Sequence, residues 1–394
     1  MTTTTANTAA SSICRECSPG LDAAIIDRPG LREVHVTLRP LPGEKLSATL
    51  RRLKRVLDQH EAVVVKQDIF GPVILAKGTL SLMRWLFGRL DWPVTWLEGG
   101  ACAGRPIAGM QVLAVSGVEV EPIHLEDQVV GSVFHDGDAR HCFLGGVLPR
   151  DVSATRDYQA GQAYEQLEIA LAQIGMDLSA LVRTWFFLDD ILAWYREFNE
   201  VRNEVYIQRR LLEGLVPAST GIGGRNPAGA ALTVGGWALQ PRHENVRAAA
   251  ASSPLQCPAP TYGSCFSRAV EVTLPTHRHL IVSGTASIEP GGRTAHIGDL
   301  PGQLDLTFRV VRAILESHGM SYLDVIRATA YLKHAGDAAP FERWCEERGL
   351  NSLPIVTTRA DICRDELLFE LELDAIAPEN LLGTRTLFSA RIAT

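Results

Sequence analysis

The sequence predicts an α+β protein of three related units. Each unit is a mixed β-sheet with two helices on one face, and the three pack as an intramolecular pseudo-trimer. Three observations carry this. Hydrophobic periodicity runs through the 394 residues as strand, helix, strand, helix, strand, three times over. The second and third runs can be registered residue by residue. The last strand of the third, Phe369-Glu370-Leu371-Glu372-Leu373-Asp374-Ala375, alternates apolar and acidic side chains, so one face lies on a core and the other carries three carboxylates.

The first unit, residues 29–125, is the degenerate one. Residues 32–39 alternate as a strand, Leu46–Glu61 carries apolar residues at helical spacing, and Ala62–Val65 reads as a buried strand. A helix around Leu80–Arg89 and a strand from Met110 to Val115 complete it. The second unit, residues 126–246, has a strand at Ala139–Gly146, a helix at Tyr164–Gly175, a strand at Val182–Leu188, a helix over Ile191–Leu212 and a strand at Ala231–Leu239. The third unit, residues 261–380, has a strand at His277–Gly284, a helix at Leu306–His318, a strand at Val325–Leu332, a helix at Pro340–Arg348 and then the acidic strand.

The register between the last two units rests on Gly131-Ser132-Val133-Phe134 against Gly263-Ser264-Cys265-Phe266 and Gly175-Met176 against Gly319-Met320. It also places Arg183 against Arg327, Pro217 against Pro354 and Pro241 against Pro378. Residues 116–130 and the Ala/Ser/Pro-rich 247–260 read as linkers, and residues 1–28 and 381–394 as tails, the first of them disordered.

Helices on one face leave the other face of each sheet bare. In the second unit the positions matching Glu370, Glu372 and Asp374 are Thr233, Gly235 and Trp237, which suit a buried surface. Three bare faces packed together would place the acidic row at an interface.

Composition sets bounds. The 46% hydrophobic and 21% charged shares are those of a globular protein, and a net charge of −7 argues against nucleic acid and anionic membrane as partners. No stretch is apolar enough to span a bilayer, and the first dozen residues lack the blocks of a secretion signal. The eight scattered cysteines suit reduced thiols in a cytoplasm. Cys14-x-x-Cys17 has no second pair to complete a zinc site, and His277-x-His279 has no acidic or Cys partner near it, so no metal is expected.

A carboxyl group removed from water resists ionising, and a neighbouring carboxylate pushes it further towards the neutral form. Glu370 or Glu372 could therefore serve as a general acid, or both could pair with arginines as structural ions. Candidate arginines are Arg359 and Arg364 before the acidic strand, Arg268 at the start of the third unit, and Arg225 in the loop Gly221-Ile222-Gly223-Gly224-Arg225-Asn226, where Gly224 lets backbone approach an anion. No Walker loop or dinucleotide fingerprint is present, leaving nucleotide cofactors unsupported. Cys363, read as the end of the penultimate strand, has no histidine near it in sequence and suits a pocket-shaping role or plain core filling.

Ser283-Gly284-Thr285-Ala286, the Gly319-Met320 block and the terminal Glu372–Ala377 resemble a RidA-type (YjgF) domain. With Tyr262–Ala269 and Cys363–Glu370, the chain from about residue 30 to 380 resembles the chorismatases. That resemblance implies cleavage of the enolpyruvyl ether of chorismate, an anionic small molecule, to pyruvate with no metal or organic cofactor. It implies a glutamate on the last strand that protonates the enolpyruvyl methylene, at Glu370 by its spacing from Cys363 and at Glu372 by alignment on simple RidA domains.

The ring product would be 3-hydroxybenzoate or a 3,4-dihydroxycyclohexadiene carboxylate. Cys363 is similar to the 3-hydroxybenzoate type, whereas Cys265 stands where a smaller residue is expected for that type. Tyr206 and Arg225 would contact substrate from the second unit. The competing readings are a RidA-like imine deaminase using Arg359 and Glu372, and a non-catalytic metabolite-binding protein. A fused pseudo-trimer needs no further subunits, so a monomer is expected.

Overall fold

The computed structural model describes residues 12–100 and 105–379. The first unit contains β1 (Ser12–Ser18), β2 (Leu21–Arg28), β3 (Leu31–Leu38), β4 (Val63–Phe70), β5 (Val94–Leu97) and β6 (Gly109–Ser116), with α1 (Leu46–Gln59) and α2 (Ala76–Phe87). The second has β7 (Val120–Leu125), β8 (Gln128–His135), β9 (Ala139–Val147), β10 (Leu181–Leu188), β11 (Ala218–Gly223) and β12 (Leu232–Pro241), with α3 (Arg156–Ala172) and α4 (Ile191–Gln208). The third has β13 (Arg247–Ala251), β14 (Ala269–Thr273), β15 (His277–Ala286), β16 (Val325–Leu332), β17 (Ile355–Arg359) and β18 (Phe369–Pro378), with α5 (Leu300–Ser317) and α6 (Ala338–Glu347).

All three sheets are six-stranded with one strand order: β1-β2-β3-β6-β4-β5, then β7-β8-β9-β12-β10-β11, then β13-β14-β15-β18-β16-β17. The last two strands of each run parallel and the remaining pairs antiparallel. The first unit, degenerate in sequence, is complete in topology.

Each unit has its own core between sheet and helices. In the third, Leu304, Phe308, Val311, Ile314 and Leu315 of α5 and Phe341 and Trp344 of α6 lie on Leu280, Val282, Phe369, Leu371 and Leu373. The helix spacing and the apolar half of the acidic strand therefore meet in one layer. Asp299 caps α5 by accepting a hydrogen bond from the Gly302 amide at 3.1 Å. The opposite faces pack together: Leu31, Val65, Leu113 and Val115 from the first unit join Phe134, Phe143, Val182, Trp237 and Leu239 from the second and Val270, Val272 and Ile281 from the third.

The structure corrects several sequence expectations. Residues 12–28, expected as tail, form β1 and β2, with Ala23, Ala24, Ile25 and Ile26 buried; residues 1–11 and 380–394 lie outside the described residues. The linkers at 116–130 and 247–260 contain β7, the start of β8 and all of β13. Outer strands pair through backbone, and short polar or Ala-rich segments can do that without an apolar pattern. The match of Gly131–Phe134 to Gly263–Phe266 also fails. Phe134 pairs with His141 as Val272 pairs with His279, so Gly131–Phe134 corresponds to Ala269–Val272. Cys363 lies beyond β17, which ends at Arg359.

The Arg183–Arg327 match holds, and Lys66 joins it. A register shift near the start of β4, β10 and β16 is followed in each by a basic residue: Lys66, Arg183 and Arg327. Further along the same ladders, Glu372 of β18 pairs with Thr329 as Gly235 of β12 pairs with Trp185, and Glu370 pairs with Tyr331 as Thr233 pairs with Phe187.

Candidate active site between the second and third units

The acidic row of β18 divides into two environments. Glu372 is buried among cations. Arg183 Nη2 donates to it at 2.6 Å, Arg327 Nη1 at 3.1 Å and Trp185 Nε1 at 3.0 Å. Burial alone would raise its pKa, but Arg327, Arg183 and a hydrogen bond from Thr220 outweigh that and hold it below the usual carboxylate range. Asp374 is likewise held down against burial, chiefly by Arg327, whose Nε donates to it at 2.6 Å. The ring of Trp185 has Lys66, Arg183 and Arg327 at 4.5, 4.8 and 5.3 Å, one cation from each unit.

Glu370 is 4% exposed and, among the described residues, forms no ion pair. Its pKa is raised to about 8, first by burial and then by the Glu372 charge, against a smaller opposing pull from Arg183 and Arg268. Two carboxylates, two residues apart on one strand, thus take opposite protonation states near neutral pH. Gly284 of β15 lies directly against the Glu370 carboxyl, where any Cβ would collide with Oε1.

Glu370 faces a cleft of about 650 Å³ between the second and third units. The second unit supplies Tyr195, Arg202 and neighbours on α4 with Ser219 and Gly221 on β11; the third supplies Phe266, Arg268, Gly284, Cys363 and Glu370. Arg202 is 1% exposed, its guanidinium 6.0 Å from the Phe266 ring and 5.6 Å from that of Phe198. Among the described residues no carboxylate pairs with it. Its Nη2 donates to Asn199 Oδ1, and the phenols of Tyr195, Tyr164 and Tyr206 and the Cys265 thiol lie around it. Arg268, also buried, has its guanidinium 5.4 Å from the same Phe266 ring and donates through Nε to the Cys257 carbonyl at 3.1 Å. Two buried guanidiniums on one aromatic ring, beside a neutral carboxylic acid, form a cavity suited to an anion that must be protonated.

Of the residues expected from sequence, Glu370, Cys363 and Arg268 line this cleft and Glu372 lies directly behind it. The Cys363 thiol is pushed up to about 12 by burial and then by Glu370, so it is un-ionised. Tyr206 is one layer back, edge-on to Tyr164 at 6.2 Å, and pushed up to about 12 by burial. Cys265 is also outside the lining, packed on the second unit's core.

Arg225, Arg359 and Gly224 are elsewhere. They line a polar basin of about 430 Å³ with Glu98, Asp189 and Asp361, where the parallel edge strands end, and Arg225 is ion-paired with Glu98. The Arg359 and Glu372 that a deaminase reading would combine do not share a cavity. His277 and His279 line a third space, a chamber of about 50 Å³ with His35, Trp237 and Asp374, too small for a ring-bearing substrate. Among the described residues no group of His, Cys, Asp and Glu is set to hold a metal ion. No described helix is long and apolar enough to cross a membrane.

Arg202, Arg183, Tyr195 and Thr220 are the residues sequence reasoning missed as site residues. For Arg202 a signal existed: it continues the i, i+4 stripe Phe198–Arg202–Tyr206, which is the buried side of α4.

The fold and its site define a protein of three RidA-like units fused in one chain, with a cleft armed between two of them. A family model described as chorismatase FkbO/Hyg5-like, N-terminal, matches residues 123–235. A 3-hydroxybenzoate synthase of Streptomyces hygroscopicus is 30% identical over 273 residues, 60% of this chain and 74% of that one. A chorismatase of the same organism is 30% identical over 217 residues, 49% and 60% of the two chains. The crystal structure of a chorismatase superposes with a TM-score of 0.60 at 20% identity, covering 81% of this chain and 94% of that one. The chain belongs to the chorismatase family.

Proposed function

We propose that this protein cleaves the enolpyruvyl ether of chorismate to pyruvate and 3-hydroxybenzoate, with Glu370 as the general acid. The observation that carries this is the Glu370 carboxyl, held neutral up to about pH 8 by burial and by Glu372, in a cleft bearing two buried arginines. Its proton goes to the enolpyruvyl methylene, which becomes a methyl group and leaves positive charge on the ether-bearing carbon. Ionised Glu370 and Glu372 then stand beside that cation and stabilise it. Water adds to that carbon, giving its proton to Glu370, and the hemiketal collapses by breaking the bond from this carbon to the ether oxygen, which stays on the ring as a hydroxyl while pyruvate leaves.

Released at this stage, the ring is the 3,4-dihydroxy diene and one water is consumed. If it then aromatises by losing the 4-hydroxyl and the C3 proton as water, it leaves as 3-hydroxybenzoate and no net water is consumed. Arg202 and Arg268 hold the substrate's two carboxylates. Cys363, a small un-ionised group in the wall, shapes the space for the ring, and its likeness to the 3-hydroxybenzoate type favours that product. The chain acts as a monomer, because the three-unit arrangement that builds the cleft is already internal.

Incubation with chorismate, with products resolved by chromatography, tests the reading. Equimolar pyruvate and 3-hydroxybenzoate are expected; the diene acid would overturn the product assignment alone. No turnover of chorismate, with ammonia released from an imino acid or with binding only, would overturn the reaction. Because the acid must be protonated, kcat should fall about tenfold per pH unit above the Glu370 pKa of about 8.

A further inference from the structure

The placement of the Glu370 carboxyl depends on a hydroxyl from the other unit. Thr220 lies on β11 of the second unit, is fully buried, and uses all of its hydrogen-bonding capacity across the interface. Its Oγ1 accepts from Arg183 Nη2 at 2.6 Å and from the Gly284 amide at 3.0 Å. Its own proton goes to the Glu372 carboxylate. Its methyl sits 3.3 Å from where a Cβ on Gly284 would lie, on the glycine that abuts the Glu370 carboxyl.

One residue earlier, the Ser219 amide donates to Ser283 Oγ at 2.9 Å, and Ser283 in turn donates to the Ser267 carbonyl. A two-residue stitch therefore fastens β11 to the irregular stretch of β15 between Val282 and Thr285, where the ladder to β18 is interrupted. An interrupted ladder leaves the Gly284 amide needing a partner, and Thr220 supplies it.

We infer that Thr220 is a positioning residue for the proposed reaction: its hydroxyl fixes Gly284 and Glu372, and through them the angle at which Glu370 meets the substrate. This rests on the reading of Glu370 as the acid. Thr220 touches neither substrate nor the reacting atoms; it sets the backbone on which the acid rests. Thr220→Val keeps shape and burial, but orphans the Gly284 and Arg183 donors and removes the proton given to Glu372.

The test is steady-state chorismate cleavage by the full chain carrying Thr220→Val and, in parallel, Thr220→Ser. The account expects Thr220→Val to lower kcat by about 10-fold or more with KM within about twofold, the pattern of a misaimed acid, and Thr220→Ser to restore kcat to within about threefold of the parent. An unchanged kcat in the Val variant, a loss confined to KM, or a loss that Ser does not rescue would each overturn it.

If the Val chain does not fold, Thr220→Ser decides alone. It keeps the hydroxyl and loses the methyl, so retained kcat supports the inference and a loss beyond about 10-fold refutes it. A parent enzyme that makes no pyruvate from chorismate would sink the reading of the site. A working parent with an indifferent Val variant would sink only the role of Thr220.

Discussion

The three interfaces of the molecule are built from the same strands in the same order, yet they differ at one strand position. Where β18 carries Glu370, β12 carries Thr233 and β6 carries Gly109, each opposite the same residue of its neighbour: Tyr331, Phe187 and Phe70. Thr233 spends its hydroxyl on the Val147 carbonyl. The cleft between the first and second units is about 860 Å³, but its arginines, Arg84 and Arg89, are exposed. There Gln128 donates at 2.9 Å to the carbonyl of Gly146, the residue in the register of Gly284.

The interface between the third and first units is stitched shut. Arg39 donates to the Ile355 carbonyl and Gln111 to that of Ala328, both at 2.8 Å, and a Cβ on Gly109 would strike the Leu38 carbonyl. Shelter alone therefore does not make a site. One interface combines shelter with an ionisable group, an anchored neighbour of like charge and two buried guanidiniums, Arg202 and Arg268.

The contrast can be broken most forcefully at the acid. Glu370→Gln should leave a folded protein and lower turnover by ~10² or more, the scale of a lost general acid, as read by pyruvate release. Near-parental turnover would remove the difference on which the comparison rests. Glu372→Gln should act on the fold as well as on turnover: leaving Arg183 and Arg327 buried with one anchor fewer should cost about 3–5 kcal/mol, seen as a lower denaturation midpoint. Stability within error of the parent would show that the axial ion cluster is not what separates the two glutamates.

Arg202→Met keeps bulk and burial but removes the charge; KM for chorismate should rise about 10-fold or more, and an unchanged KM would take the substrate's carboxylate away from this residue. The smallest effect is the most discriminating for the comparison. Thr233→Glu adds a carboxyl at the equivalent place in the second unit without the guanidiniums around it. Combined with Glu370→Gln, it should restore no activity above the single variant, and restoration would mean that a buried acid is sufficient.

Much of this was legible in the sequence because repeats constrain one another. The helix spacing and the alternating strand each describe a single unit, the Arg183–Arg327 match relates two, and together they imply three bare faces and hence a sheltered row of acids. Which acid remained protonated was not legible. It depends on arginines that approach from β10 and β16, and a linear sequence does not say that Arg183 reaches across to Glu372.

The Gly-rich loop at Arg225 misled for a related reason. Its composition fits an anion cradle, but it ends a strand on the axis, next to Glu98, and not on the cleft side. The edge strands β1, β7 and β13 were missed because pairing through backbone leaves little pattern in side chains. Ser219–Thr220 was missed because two hydroxyl residues in a Gly-rich stretch look like loop until β10 is seen to hold them in parallel.

The central claim is that burial and an anchored neighbour keep Glu370 neutral at the pH where the enzyme works. Carbon NMR titration of glutamate carboxyl-labelled protein, compared with the Glu370→Gln variant, measures this directly. The account predicts one carboxyl that titrates near pH 8 and vanishes in the variant. If the resonance lost with Glu370 instead titrates in the ordinary glutamate range, roughly pH 4–5, the cleft holds a spent carboxylate and the proposed proton donor is wrong.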